Sequence, residues 1–264
     1  MTGGRILPYL IALLSSFLLV AGCATRELKL PSALEPIDPA PILTAISENN
    51  ALLTSLAVSG KAAIPGESRL VYGARVLAGR GALLELDAGP FLKPILTSAC
   101  AVGSGCDIFV VDEKTLYRTG DGLQPLLETL LTGRVEVGTG DLSAWRLVDG
   151  RASLRRDGGG NYMVAIVGRD GFVDKFYYGN SGERPSAVVE FGERFVVDGG
   201  GWYPKSIKVV DEHGDERLLL EPGRVIKLDE AENSLFALRF PPGVKIREGG
   251  AEKILKRIGL PSQD

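Results

Sequence analysis

Four side chains carry the chain's thiol and imidazole chemistry: Cys23, Cys100, Cys106 and His213. Cys100 and Cys106 lie close together in sequence. In an oxidising compartment such a pair forms a disulfide. It would close a short loop, for which chain entropy contributes about 2.5 kcal/mol. The alternative is half of a metal site, which needs more thiols or imidazoles nearby. One histidine and one other cysteine leave nothing to recruit, so no metal is expected. His213 sits in Asp211-Glu212-His213-Gly214-Asp215. A general base needs a substrate proton within hydrogen-bond reach, whereas a charged run around glycine reads as a solvated turn. There is no Ser/His/Asp set and no Gly-x-Ser-x-Gly elbow. Gly79-Arg80-Gly81 lacks the third glycine of a dinucleotide loop, and no phosphate loop is present. The 33 acidic residues offer no pair singled out by spacing. No catalytic residue is nominated, and a binding protein is expected rather than an enzyme.

Cys23 belongs to a different pattern. Arg5 precedes a fifteen-residue apolar run, Ile6 to Val20, with one proline and no charge. A charged start, an apolar centre and small residues at the end describe a secretory leader. The run is short of the roughly 20 residues that a helix needs to span a bilayer. Leu19-Val20-Ala21-Gly22-Cys23 resembles the bacterial lipobox, Leu-x-Ala-Gly-Cys. The resemblance implies cleavage after Gly22, diacylglycerol on the Cys23 thiol and a third acyl chain on the new amino terminus. No other cofactor is expected. Each buried methylene contributes about 0.8 kcal/mol, and two or three chains make a firm anchor where one does not. Ala24 stands where enteric bacteria place the Asp that retains lipoproteins in the inner membrane. The expected location is therefore the outer membrane, on its periplasmic face.

The elements that must carry such a chain follow from composition and period. Without residues 1–22 the chain has 242 residues, 29 basic against 33 acidic, and a net charge of −4. That length suits one domain with a sizeable core or two small ones. Mixed charge with a mild acidic excess gives no footprint for nucleic acid. Residues 23–41 are expected to be the lipidated cysteine and a Pro-rich, extended tether. Ile42, Leu43, Ile46, Leu52, Leu53 and Leu56 predict an amphipathic entry helix. Leu56 to Ile64, Arg69 to Ala78 and Ala82 to Asp87 predict three strands. Gly89 to Gly105 is apolar but broken by prolines and predicts a loop. Ile108 to Asp112 and Thr115 to Arg118 predict a hairpin, and Leu123 to Leu131 a short internal helix. From Trp145 onward short strands alternate with glycine-rich turns. These are 145–148, 152–155, 162–167, 173–178, 187–197, 206–211, 216–220, 224–227 and 236–240, an antiparallel meander long enough to curl. Ala251 to Ile258 predicts a final basic helix within a tail at 249–264.

Four stretches, in this order, resemble the LolA/LolB lipoprotein-carrier superfamily, in particular a divergent outer-membrane lipoprotein branch. They are the entry helix leading into Leu56-Ala57-Val58-Ser59-Gly60-Lys61-Ala62-Ala63-Ile64, then Leu84-Glu85-Leu86-Asp87-Ala88-Gly89-Pro90, Trp202-Tyr203-Pro204-Lys205-Ser206-Ile207, and Phe236-Ala237-Leu238-Arg239-Phe240-Pro241-Pro242-Gly243. The resemblance implies a mainly β fold with an α lid, a curved antiparallel half-barrel at residues 42–248. Its apolar concave face would receive acyl chains of lipid or lipoprotein. It also implies a membrane-contact loop between the third and fourth strands, for which Phe91, Leu92, Ile95 and Leu96 are the candidates. The other reading of these four is that they cap the end of the half-barrel. A second functional reading uses the same fold for protein contacts, as a lipid-anchored assembly subunit of an envelope transport machine.

Overall fold

The computed structural model describes residues 28–51, 55–67, 70–77, 80–89, 91, 93–101, 105–119, 123–132, 142–158, 160–198, 200–228, 238 and 240–249. The amino-terminal half holds β1 (Ala33–Ile37), α1 (Ala40–Ala51), β2 (Ser55–Ala63), β3 (Leu70–Leu77), β4 (Gly81–Ala88), β5 (Lys93–Ala101), β6 (Gly105–Val110), β7 (Thr115–Thr119) and α2 (Leu123–Thr132). The carboxyl-terminal half holds β8 (Leu142–Leu147), β9 (Ala152–Gly158), β10 (Asn161–Val167), β11 (Val173–Asn180), β12 (Pro185–Phe191), β13 (Arg194–Val196), β14 (Trp202–Pro204), β15 (Ile207–Asp211), β16 (Glu216–Lys227) and β17 (Lys245–Glu248).

Fifteen of these strands form one open, curved sheet in the order β1-β8-β9-β10-β11-β12-β15-β16-β2-β3-β4-β5-β6-β7-β17. Its body is two meanders, β2–β7 and β8–β16, joined where β16 pairs with β2, with β1 added at one edge on β8 and β17 at the other on β7. β13 and β14 form a separate two-stranded ribbon. The mainly β half-barrel with a helical cover is thus the architecture expected.

Period-two alternation decides which side chains face inward. Val58 and Ala62 on β2, Leu70, Tyr72 and Val76 on β3, and Leu84 and Leu86 on β4 enter one core cluster. Ala165, Phe176, Val189, Val209 and Leu218 from the other meander enter the same cluster. Only the concave side of a curved sheet can bring both halves together. Ile46 of α1, Leu127, Leu130 and Leu131 of α2, and Tyr203 of β14 complete it. The convex side carries two smaller clusters. Leu147, Tyr162, Val164, Ile166, Tyr177, Val188 and Val210 pack under Leu28 and Leu30. Leu77, Leu83 and Ala99 pack with Leu238.

Several expectations are corrected. Part of the expected tether, residues 33–37, is an edge strand paired with β8. Proline in an extended stretch mimics a linker, yet an edge strand tolerates its missing donor, as at Pro36. Helix α1 starts earlier, at Ala40, because Asp38 caps it, its Oδ1 accepting from the Ala40 amide at 3.0 Å. It ends at Ala51, and Leu56 belongs to β2. The predicted loop 89–105 is largely strand. Pro94 is accommodated beside a register shift between Leu86 and Asp87, so β5 begins at Lys93. Residues 187–197 divide into β12 and β13, and β14 is added. Residues 216–220 and 224–227 are one long strand with a bulge between Pro222 and Arg224. Leu238 and Phe240 lie outside any strand, and the meander closes instead with β17, parallel to β7. Cys23 and the predicted helix 251–258 lie outside the described residues.

Candidate functional site

The concave face under α2 is the candidate site. β3, β4, β5 and β6 form its floor, and α2 packs on these four strands. Leu127, Leu130 and Leu131 do this because they recur at three- and four-residue spacing. Leu130 and Leu131 are fully buried, each contributing about 1.5–3 kcal/mol. The ribbon β13–β14 forms the second cover. Its Tyr203 hydroxyl donates to the Leu131 carbonyl at the last turn of α2, so the two covers are tied to each other. Arg194 of the ribbon donates to the Val173 carbonyl at 2.5 Å and stacks over Phe172, 4.5 Å from its ring centre. α1 closes the side near the β10–β11 turn, where Asn49 Nδ2 donates to the Asp170 carbonyl at 3.3 Å.

No charged side chain among the described residues is fully buried in the site, Arg194 of the ribbon being largely enclosed and paired with Asp174. Among the described residues, the buried polar side chains are Ser98, Thr115, Thr129, Thr132 and Ser153. Tyr72 and Tyr203 add phenols, and burial pushes both well above the ordinary phenol pKa. A negative charge on Tyr72 would raise Tyr203 further, which puts the two rings in one neighbourhood. Tyr178, edge-on to Phe176 at 5.3 Å, is pushed up to about 12 by burial. All three phenols are therefore neutral at physiological pH. The hydroxyls of Tyr72 and Ser98 have no hydrogen-bond partner, a state that disfavours the fold by about 1–3 kcal/mol per group. Such a surface can hold apolar chains. Among the described residues it presents no acid, base or nucleophile pair, and no three His, Cys, Asp or Glu side chains gather to hold a metal. His213 is exposed in the β15–β16 turn, with Glu212 at 3.5 Å.

The cysteines fall inside this site. Cys100 on β5 and Cys106 on β6 are directly opposed in register, with Cα atoms 4.1 Å apart and the sulfurs joined. Both are buried in the concave core. The bridge therefore fastens two floor strands beneath α2.

The structure separates the four membrane-contact candidates. Phe91 is 84% exposed in the β4–β5 turn. Leu92 lies outside the described residues. Ile95 and Leu96 are not in the loop at all. Both sit in β5: Leu96 is buried on the inward face with Cys100, and Ile95, on the opposite face of the strand, is half-buried and packed against the core. The Phe91 turn shares its rim with the amino-terminal segment. Leu70 pairs with Ala88 and with Ala62, and the neighbouring Ala63 with Leu219. The β4–β5 and β15–β16 turns therefore open on the same side. There the Leu28 amide donates to the Glu212 carbonyl at 3.4 Å. Cys23 is five residues before Leu28, a reach of at most about 18 Å.

Sequence reasoning missed Tyr72 and Ser98. Each sits at an inward position of an alternating strand, where it reads as ordinary core; only the missing partners set them apart.

No protein-family model matches the chain, and no curated protein matches it either. Solved structures do. A domain described as an outer membrane lipoprotein-sorting protein from Vibrio parahaemolyticus superposes with a TM-score of 0.53 at 9% identity, covering 74% of this chain and 94% of that one. The LolA superfamily protein NE2245 from Nitrosomonas europaea superposes at 0.52 and 15% identity, over 76% and 98% of the two chains. A DUF1329 family protein from Desulfovibrio piger gives 0.51 and 10%, over 75% and 95%. Each likeness covers nearly the whole of the other chain, so what is shared is the complete half-barrel. By fold, this chain is a LolA/LolB-like half-barrel.

Proposed function

We propose that this chain is a lipid-anchored envelope protein that receives acyl chains of lipid or lipoprotein on its concave face and delivers them at the outer membrane. It performs no chemistry on them. The observation that carries this reading is the concave face: uncharged, apolar, and covered by separate pieces tied through few polar contacts. Lifting α2 exposes leucine-lined floor, and acyl chains replace the lost contacts at about 0.8 kcal/mol per methylene. Cys23, with diacylglycerol and an N-acyl chain, is the anchor. Phe91, on the rim where the chain leaves toward Cys23, dips into the same membrane, with Lys93 beside it at the headgroups.

The test uses the chain from Ala24, which contains every described residue, and a fluorescent fatty-acyl probe. Saturable binding of one or a few probes per chain is expected, together with retained lipid after purification. No binding under conditions where the chain is folded would sink the reading. Cys23→Ser should release the full chain from the membrane fraction, and recovery of the lipidated protein in the inner membrane would refute the outer-membrane placement.

The exposed edges β1 and β17 favour a second reading, a structural subunit that adds a partner's strand to its sheet. In-cell crosslinking separates the two. A stable stoichiometric protein partner supports this reading, and transient lipidated partners support the first.

A further inference from the structure

Tyr72 and Ser98 are 2% and 3% exposed, and neither hydroxyl has a hydrogen-bond partner. Both face the concave floor. Tyr72 shares its strand face with Leu70, Ala74 and Val76, and Ser98 shares its face with Leu96 and Cys100. The strand between them puts Leu86 opposite Tyr72 and Leu84 opposite Ser98. The hydroxyls thus flank one apolar strand directly beneath the helix that covers β3 to β6. For the closed fold alone, Phe and Ala would pack as well and leave nothing unpaired. A trapped water needs two to four polar partners, more than one isolated hydroxyl supplies.

The missing partners have a definite chemistry. They must be hydrogen-bond acceptors, uncharged, and carried by a molecule that otherwise fits an apolar floor. A headgroup anion does not qualify, because the inward-facing side chains of β3, β4 and β5 around these hydroxyls include no cation, and the largely enclosed Arg194 is already engaged by Asp174 and the Val173 carbonyl. Carbonyl oxygens at the head of long hydrocarbon chains do qualify. We propose that Tyr72 and Ser98 donate to the ester carbonyls of acyl chains admitted beneath α2, so that the site selects acyl esters over plain hydrocarbon. This rests on the acyl-chain reading and adds its polar handle. Ester-linked chains come from phospholipid or from a diacylglyceryl-cysteine lipopeptide, and both offer the same acceptors.

The experiment compares ester-linked phosphatidylglycerol with its ether-linked analogue, and a dipalmitoyl-S-glyceryl-cysteine peptide with its dialkyl-ether analogue. The chain from Ala24 and its Tyr72→Phe and Ser98→Ala variants are titrated with each. The unaltered chain should prefer at least one ester over its ether. Each variant should reduce that preference about five-fold while leaving ether affinity unchanged. Which ester shows the preference identifies the source. Equal affinity for ester and ether, or a preference untouched by both variants, overturns the hydroxyl assignment and leaves the acyl reading standing. Binding of none of the four overturns both. Melting provides the control: with no bond to lose, both variants should melt at or above the unaltered chain. A marked fall for either would reveal a structural bond and remove that residue from the assignment.

Discussion

Asp211 holds the β15–β16 turn from its first residue. Its Oδ1 accepts from the His213 amide at 2.9 Å and the Asp215 amide at 3.0 Å, and Oδ2 accepts from Arg217 Nε at 2.7 Å. Burial acts to raise its pKa, but these donors outweigh it, and the carboxyl stays below the ordinary carboxylate range. Its stabilisation is therefore complete above the unfolded-state pKa of about 4 and is lost as pH falls through the folded value. Asp211→Asn should lower stability at pH 7 by about 1–3 kcal/mol. It should also flatten the fall in stability below about pH 4. Urea titrations at several pH values check both, and an unchanged pH profile would remove Asp211 from this role. Tyr203→Phe tests the tie between the two covers. Leaving the Leu131 carbonyl unpaired in the core should lower stability by about 1–3 kcal/mol. If the covers are what acyl chains must lift, the same change should speed probe uptake in stopped flow.

At the scale of elements, the strands with clean alternation were legible. Leu56, Val58, Ala62 and Ile64 mark β2 because one face is core and the other is not. The α2 stripe was equally plain. What stayed hidden has physical reasons. β1 contains Pro36, and its pairing depends on an edge that only the assembled sheet creates. β17, Lys-Ile-Arg-Glu, is exposed throughout and has no apolar face to announce it. β5 carries Pro94 at its start, so Ile95 and Leu96 read as loop although the strand is buried at Leu96 and from Ser98 to Cys100. The bridge beneath α2 yields the prediction for this scale. Cys100→Ala with Cys106→Ala should cost about 2.5 kcal/mol, seen as a lower urea midpoint. Reductant should then destabilise the native chain but not the double variant, and equal sensitivity of both would show that no bridge forms. The floor of the site was half legible. Its leucines follow from pattern, but the unpaired hydroxyls exist only once three strands and a helix are assembled around them.

For the whole molecule, orientation is the first consequence. The described chain begins at Leu28 on the rim that carries Phe91, so if Cys23 is lipid-anchored as proposed, that rim faces the bilayer. Phe91→Ser should leave melting within about 0.5 kcal/mol of native, as a surface change does, and reduce binding to vesicles of phosphatidylethanolamine and phosphatidylglycerol. A large loss of stability would place the ring in the core instead. The seam between the meanders has a second consequence, in time rather than space. Every other neighbouring pair in each meander is close in sequence, but Leu220 on β16 pairs with Ala62 on β2, 158 residues away. The sheet therefore cannot be completed until most of the chain has emerged, and long-range closure of this kind makes folding slow. The seam is also sterically exact. A Cβ at Gly60 would stand 2.1 Å from the Glu221 carbonyl oxygen and 2.9 Å from the backbone of Pro222 and Gly223. Gly60→Ala should leave each meander's local pairing intact in early hydrogen exchange yet abolish protection of the β2 and β16 amides that bond across the seam. If the chain crosses a membrane unfolded and folds beyond it, as the proposed envelope location requires, this arrangement favours it. Its two halves form locally, and the late meeting of β16 with β2 would hold off the closed sheet until nearly the whole of such a chain had arrived.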